Sequence, residues 1–252
     1  MEKIKLFFIK IIFKFTRKIL RILLIFVNKG LKLKILYWMY FFQEYKENEL
    51  YNIEQIISHE GSAIDIGCNS GLWTYGLSKQ KKINQILSFE PNKKKTKYIH
   101  AYNNNKIKIF HHALSNKNGV KILNIPIYKN IELDGWASLE NIKDFKKKFF
   151  KFIKIKVTTR KLDSFNFRNV SFVKIDVEGH ELKLLEGARK FFEINKPNCI
   201  IEVNKKNLSK VKDFFQNLKV NYRYIPKNKF SFRFSKENFL FSIHYPENNE
   251  SV

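Results

Sequence analysis

The amino-acid sequence predicts an α/β protein: a doubly wound, mostly parallel sheet preceded by a basic amphipathic helix. Three observations predict it. From residue 61 onward, short apolar runs alternate with helical segments, a pattern that requires right-handed crossovers and so parallel strands. Acids gather where those runs end, at Asp65, Glu90, Asp176 and Glu202. Residues 1–42 differ in kind, with ten Lys/Arg and a single acid, Glu2.

The elements follow in order. Residues 1–45 form an N-terminal basic segment and 46–252 the main domain. At a helical step of ~100° per residue, Lys3, Lys10, Lys14, Arg17, Lys18 and Arg21 share one face, while Phe8, Ile9, Ile12, Ile19 and Leu23 lie largely elsewhere. Such a helix suits an anionic membrane surface; the plainer reading is a helix packed on the domain with its lysines outward. It is no spanning segment, because its clean apolar runs, Ile22–Val27 and Ile35–Phe42, fall short of the ~20 residues a span needs. It also lacks the clean apolar core and cleavage site of a signal peptide.

"SAIDIG" (62–67) is a buried strand, "GCNSG" a tight turn and "LWTYGLSKQKK" a helix. "QILSFEP" (85–91) is the second strand, "NKKKTKYIHAYNNN" a helix and "IKIFHHAL" (107–114) the third strand. Residues 119–160 read as an insertion over one end of the sheet, with two strand-like runs around "ELDGWASLEN" and the basic, aromatic "DFKKKFFKF". "SFVKIDVEG" is the next core strand, "HELKLLEGARKFFEINK" a helix, "NCIIEVN" a strand and "LSKVKDFFQNLK" a helix. "YRYIP" and "NFLFSIHY" close the fold as an antiparallel pair.

Composition narrows the function. The chain has 252 residues, 44% of them hydrophobic, enough for a folded core. Its net charge of +25 favours anionic partners, although a chain crowded with Lys, Ile, Asn and Phe reaches such a charge without any. Cys68 and Cys199 stand far apart, so neither a disulfide framework nor a cysteine zinc site is written here, and a reducing compartment is the default. His111 and His112 read as strand-end residues.

In open α/β sheets ligands bind beyond the carboxyl ends of the strands. Gly67 and Gly71 flank a turn in which Asn69 offers a hydrogen-bonding side chain. The loop is neither G-x-G-x-x-G nor a P-loop. Glu90 lies 25 residues beyond Asp65, at the end of the next strand, where a carboxylate suits the two hydroxyls of a ribose. Together these residues point to a nucleoside site.

The motifs "AIDIGCNSG", "SFEP", "HHALS", "WASLEN", "TTRKLDSF", "VKIDVEGHELKLLEGA" and "CIIEVN", in this order, resemble the FkbM family of S-adenosylmethionine-dependent methyltransferases over roughly residues 60 to 205. "KIDVEGHE" followed by "LLEGA" is the most specific part. The resemblance implies a class I methyltransferase (Rossmann-like) fold, a seven-stranded sheet with its last strand antiparallel, and methyl transfer usually to oxygen, often on sugars. It implies that Asp65, Gly67, Asn69 and Gly71 line the methionine part of the cofactor, that Glu90 holds the ribose, and that Ala113 lies near the adenine. Cys68 stands where such loops commonly carry Ala; it is small enough to fit.

Under that resemblance Asp176, Glu178 and His180 sit where methyl donor and acceptor meet, as general-base candidates. Alternatively Asp176 and Glu178, with Glu202 or Asn204, hold a divalent cation that acidifies the acceptor hydroxyl. Helix capping is the structural reading for Glu181 and His180. Ser138, Trp136, Lys161 and Asp163 are possible acceptor-side elements. The expected acceptor is a saccharide in a glycan, lipid-linked saccharide or related metabolite, with the enzyme cytoplasmic and peripheral on the inner face of the plasma membrane. A nucleic-acid methyltransferase is disfavoured: "DVEG" replaces the Asn/Asp-Pro-Pro-Tyr/Phe that grips a base amino group, and clustered acids repel phosphates. A non-catalytic cofactor-binding scaffold is the remaining alternative.

Overall fold

The computed structural model describes residues 27–41, 47–128, 131–140, 151–230, 232, 235 and 237–244. The amphipathic pattern of residues 1–26 and most of "DFKKKFFKF" lie outside them. The strands are β1 (Gly61–Ile66), β2 (Ile83–Phe89), β3 (Ile107–Phe110), β4 (Ala113–Leu114), β5 (Gly119–Tyr128), β6 (Ile131–Glu132), β7 (Lys151–Arg160), β8 (Val170–Ile175), β9 (Asn198–Glu202), β10 (Arg223–Ile225) and β11 (Asn238–Ser242). The helices are α1 (Lys29–Phe41), α2 (Asn48–Tyr51), α3 (Leu72–Ser78), α4 (Lys97–Tyr102), α5 (Glu181–Glu186), α6 (Arg189–Asn195) and α7 (Leu208–Gln216).

Seven strands form the main sheet in the order β10-β11-β9-β8-β1-β2-β3. β9, β8, β1, β2 and β3 run parallel, while β11 is antiparallel to both neighbours. The chain reverses its direction across the sheet between β1 and β8, and ligands bind at such a switch point. The fold is thus the α/β class I methyltransferase architecture, with its last strand antiparallel.

Each face of the sheet carries its own core. Strand alternation sends Ile64, Ile66, Val173 and Ile175 toward the side of α5, α6 and α7, where Phe192 and Phe215 are fully buried. It sends Ala63, Ile86, Phe172 and Ile200 toward the side of α1 and α3. One polar row crosses that second face: Asp65 is in register with Ser88 on β2 and with Lys174 on β8.

α1 belongs to this core. Gly30, Leu33 and Tyr37, one helical face at i, i+3 and i+7, are its buried positions. Tyr37 packs on Tyr75 at 4.9 Å and on Tyr51 at 5.0 Å between ring centroids. A Cβ on Gly30 would come within 2.5 Å of the Ala101 carbonyl oxygen, which shows how tightly α1 sits on α4. Leu31 and Trp38, on the flank of that stripe, remain about half exposed.

Residues 113–160 contribute a second, four-stranded sheet, β4-β7-β5-β6, whose apolar face closes over the carboxyl ends of the first through Ala113, Leu123, Ile125 and Val157. Two sequence expectations change here. The single strand expected over 107–114 is two strands in different sheets, since the chain turns at His111-His112 to pair β4 with β7. The helix expected across 180–196 breaks at Gly187, where a Cβ would lie 2.1 Å from the Ser115 carbonyl oxygen. Asp163 then accepts hydrogen bonds from the first backbone amides of α6, Lys190 at 3.3 Å and Phe191 at 2.8 Å. It is a cap supplied from another segment.

Candidate active site

Two turns meet at the switch point. In the first, Gly67 and Gly71 have φ of 80° and 93°, and Asn69 between them has φ of 47°. Gly67 has no alternative there: a Cβ would stand 1.8 Å from the Asp176 carbonyl oxygen. The Asp176 amide in turn donates to the Ile66 carbonyl at 3.0 Å. The β1 and β8 loops are therefore in backbone contact, and only glycine lets them approach so closely. In the second turn Glu178 and Gly179 are consecutively left-handed, with φ of 49° and 93°. A non-glycine residue held that way costs roughly 1–2 kcal/mol, and such strain concentrates at functional sites.

Glu90 joins the first turn. One carboxylate oxygen accepts the Asn69 amide at 3.0 Å and the other the Asn92 amide at 2.8 Å. Burial raises its pKa, against the pull of these two amides. Each oxygen keeps lone-pair capacity for a further donor, so the fixed carboxylate can take a vicinal diol.

A cleft runs between the two turns. Gly67, Asn69 and Glu90 line it on one side and Asp176, Glu178 and His180 on the other, with Ala113 also in the wall. Asp65 and Gly71 are not in the lining. Asp65 is 2% exposed and lies beneath the loop. It accepts the Thr74 hydroxyl at 2.6 Å, and that hydroxyl also meets Ser88 at 2.9 Å. Burial pushes its pKa up to about 6. It ties α3 to β1, so its part is to hold the turn. Gly71 faces Ile99 of α4, 2.1 Å from where a Cβ would lie.

The acids of the second turn share one electrostatic setting. Burial is the main cause that raises Asp176 to about 7; Lys174 pulls it down, while Glu202 and Glu47 push it up. Burial, then Asp176 and Glu202, lift Glu178 to about 8. Carboxylates that titrate near neutrality suit general acid–base work. Lys174, 1% exposed, is the buried counterion. Its ammonium donates to the Asn238 side-chain oxygen at 3.0 Å, stands 3.7 Å from Glu202 and lies 5.3 Å from the centre of the Trp73 ring. Asn238 continues the network to Glu49 and Glu47.

His180 is 1% exposed and doubly engaged. Its Nδ1 meets Glu140 at 2.5 Å and its Nε2 meets the Ser115 hydroxyl at 2.9 Å. Burial lowers its pKa, against the hydrogen bond its Nδ1 donates to Glu140. Lys183 adds 2.8 and 2.9 Å contacts to the Glu140 carboxylate. The Ser138 hydroxyl donates to the Glu178 carbonyl at 2.6 Å. Residues 138–140 are thereby fastened to the turn that carries the acids. Glu181 accepts the Gly179 amide at 2.8 Å, which makes it a cap of that turn. Trp136 is 51% exposed.

The metal expectation from Asp176, Glu178 and Glu202 finds no ligand set: among the described residues no group of three or more His, Cys, Asp or Glu is disposed to hold an ion. Glu202 turns to Lys174 instead. Sequence reasoning missed Lys174, Ser115 and Glu140 as parts of the site. Lys174 read as an ordinary strand residue. Glu140 meets His180 across 40 residues of chain, a separation that carries no spacing signal.

No curated protein matches the chain. Among solved structures it is similar to an FkbM methyltransferase from Methylobacillus flagellatus KT, with 15% identity and a TM-score of 0.47, over 73% of this chain and 43% of that one. The chain thus spans less than half the length of that protein. It is also similar to the precorrin 8w decarboxylase of Methanobacterium thermoautotrophicum, with 7% identity and a TM-score of 0.44, over 78% and 90% of the two chains. A precorrin-6y C5,15-methyltransferase from Geobacter metallireducens GS-15 aligns at 9% identity and a TM-score of 0.41, over 78% and 86%. The model of the methyltransferase FkbM domain matches residues 65–228, well over half of the sequence, and the chain therefore belongs to the FkbM methyltransferase family.

Proposed function

We propose that the protein is an S-adenosylmethionine-dependent O-methyltransferase acting on a sugar hydroxyl of a glycan, lipid-linked saccharide or related metabolite. One observation carries the reading: a single cleft has a backbone-anchored carboxylate, Glu90, on one side and two carboxyls of raised pKa, Asp176 and Glu178, on the other. The fixed carboxylate of Glu90, with its free lone pairs at the cleft wall, fits the nucleoside end of such a cofactor. When bound, S-adenosylmethionine supplies an electrophilic methyl group on sulfur.

The chain's own residues do the rest. Glu90 holds the ribose hydroxyls, and Gly67 and Asn69 form the floor of the methionine end. Asp176 or Glu178 takes the acceptor's proton as its oxygen attacks. His180 positions this pair: it has no free nitrogen, and it holds Ser115 and Glu140 against the turn. A divalent cation has no part in the proposal.

Calorimetric titration with S-adenosylmethionine tests the reading. Saturable binding that is weakened at least ~10-fold in Glu90→Ala is expected, since charge-assisted hydrogen bonds contribute roughly 1.5–3 kcal/mol. A folded wild-type protein that binds none sinks it.

A peripheral, cytoplasmic-face location is part of the same proposal. Among the described residues no helix is long and apolar enough to cross a membrane. The support is the basic pattern of residues 1–42 together with Leu31 and Trp38, exposed seven residues apart on α1. Because Leu33 and Tyr37 of α1 are core residues, the deletion that tests this must stop before residue 27. Equal partition of the full chain and of the shortened chain to anionic vesicles refutes the role of residues 1–26.

A further inference from the structure

A second hollow adjoins the cleft. It lies, open to solvent, between the loop after β2 and the apolar face of the small sheet. Pro91 and Asn92 line both spaces. On β5, Leu123 lines the cleft and Ile125 the groove. They are two residues apart on one strand face, or about 7 Å. The floor is Ile125, Ile153 and Ile155, with Ile125 in register with Ile153 and Leu123 with Ile155. Lys93 and Lys94 stand at its rim, Lys156 belongs to the lining with its side chain on the face of β7 opposite Ile153 and Ile155, and Glu132 is the one acid among the described lining residues. None of the three lysines is in an ion pair with a described residue.

The chemistry of this wall selects its occupant. Sugar hydroxyls laid on three isoleucines would lose water without gaining partners, at a cost of roughly 1–3 kcal/mol each. An apolar chain gains by the same contact. Two ammonium groups beside it, those of Lys93 and Lys94, with no ion pair among the described residues, suit a phosphate. A single-stranded nucleic acid would also answer to the lysines, but it binds by stacking on aromatic rings, and the described lining residues include none. Position agrees as well. α4 follows Lys93–Lys95 directly, and α1, the helix into which the basic N-terminal segment leads, is packed on α4.

We infer that this groove binds the phosphate and proximal apolar chain of a lipid-carried acceptor, next to the cleft in which the methyl group is transferred. The inference rests on the methyltransferase reading and narrows its acceptor to saccharides carried on a lipid phosphate.

The test is a calorimetric titration of the full-length protein with farnesyl phosphate below its micelle concentration. Farnesol, inorganic phosphate and a short oligoribonucleotide are the comparison ligands, and S-adenosylmethionine is titrated into the same samples. Saturable binding of farnesyl phosphate is expected, with each comparison ligand at least ~10-fold weaker. The variant K93Q/K94Q should lose ~10-fold or more of that affinity while binding S-adenosylmethionine as the wild type does. Because the variant keeps residues 1–42, the difference reads the groove alone.

Equal binding by variant and wild type overturns the inference. So does inorganic phosphate or the oligoribonucleotide binding as well as farnesyl phosphate, or no farnesyl phosphate binding by a protein that takes up S-adenosylmethionine. Lipid phosphate bound through the two lysines by a protein that ignores S-adenosylmethionine would support the groove and fault the cofactor reading.

Discussion

Replacing Lys174 with Met should destabilise the protein by an amount that depends on pH. Met is close to lysine's stem in size and adapts to irregular gaps, so the variant removes a charge with little change in packing. The ammonium is 1% exposed and 3.7 Å from the Glu202 carboxylate. At an effective dielectric constant of about 20, that one pair amounts to roughly 4 kcal/mol. Removing one partner of a buried pair typically costs about 3–5 kcal/mol. The pKa of Lys174 is raised, by Asp176 first and then by Glu47, Glu202 and Glu49, against the opposing effect of burial. A lysine so shifted contributes its stability in full below its unfolded pKa of about 10.4, so the charge is present throughout pH 5–9. Its partners change over that window. Asp176, at about 7, and Glu202, raised by burial, take up protons as pH falls, and neutral carboxyls do not need the cation. The loss in Lys174→Met should therefore be about 4 kcal/mol at pH 8, or roughly 10 °C in Tm, and about 1–2 kcal/mol at pH 5. Urea unfolding followed by circular dichroism at the two pH values measures it. Equal losses at both, or a larger loss at pH 5, would refute the counterion argument.

The other predictions concern the two turns. Glu178→Gln should remove a carboxylate that opposes folding above its unfolded pKa of about 4.3, increasingly up to its folded value of about 8. The variant should gain about 1–3 kcal/mol at pH 8 and nothing at pH 4, while kcat falls ~10²–10⁴-fold; unchanged kcat would remove Glu178 from the chemistry. Gly67→Ala places a methyl 1.8 Å from the Asp176 carbonyl oxygen and should lose roughly 3 kcal/mol or more of stability, with cofactor binding lost at the same time; near-native melting and binding would contradict the close approach of the loops. His180→Gln leaves Ser115 and Glu140 poorly partnered and should lose about 1–3 kcal/mol of stability, while the pH profile of kcat keeps its midpoint; a midpoint that moves would make His180 a base.

The five parallel strands were legible because strands buried on both faces read as nearly unbroken apolar runs, as in "VSFVKI" and "NCIIE". Gly67, Asn69 and Glu90 were legible for a similar reason, since a strand–turn–helix start with an acid one strand later has a fixed geometry. Asp65 misled because a carboxylate near a strand end looks like a ligand. Strand parity places it with Ala63, on the α3 face under Thr74, away from Ile64 and Ile66. The break at His111-His112 was hidden by the apolar run that continues across it to Leu114. The break at Gly187 depends on the distant Ser115 backbone, which local pattern cannot register. His180 was visible as a candidate, but its partners lie 40 and 65 residues away, so its holding role appears only once the small sheet is folded over the large one.

The small sheet and the catalytic turn behave as one mechanical part. Ser138 grips the backbone of Glu178, and Glu140 is shared by His180 and Lys183. The arm over the cleft therefore cannot swing away without pulling on the residue nearest the chemistry. Exchange of a bulky acceptor through that side would disturb Glu178 in its strained conformation, and its return would reset the carboxyl only after the arm had closed. On the methyltransferase reading, uncovering the cleft on that side and loosening the Glu178 turn are one movement.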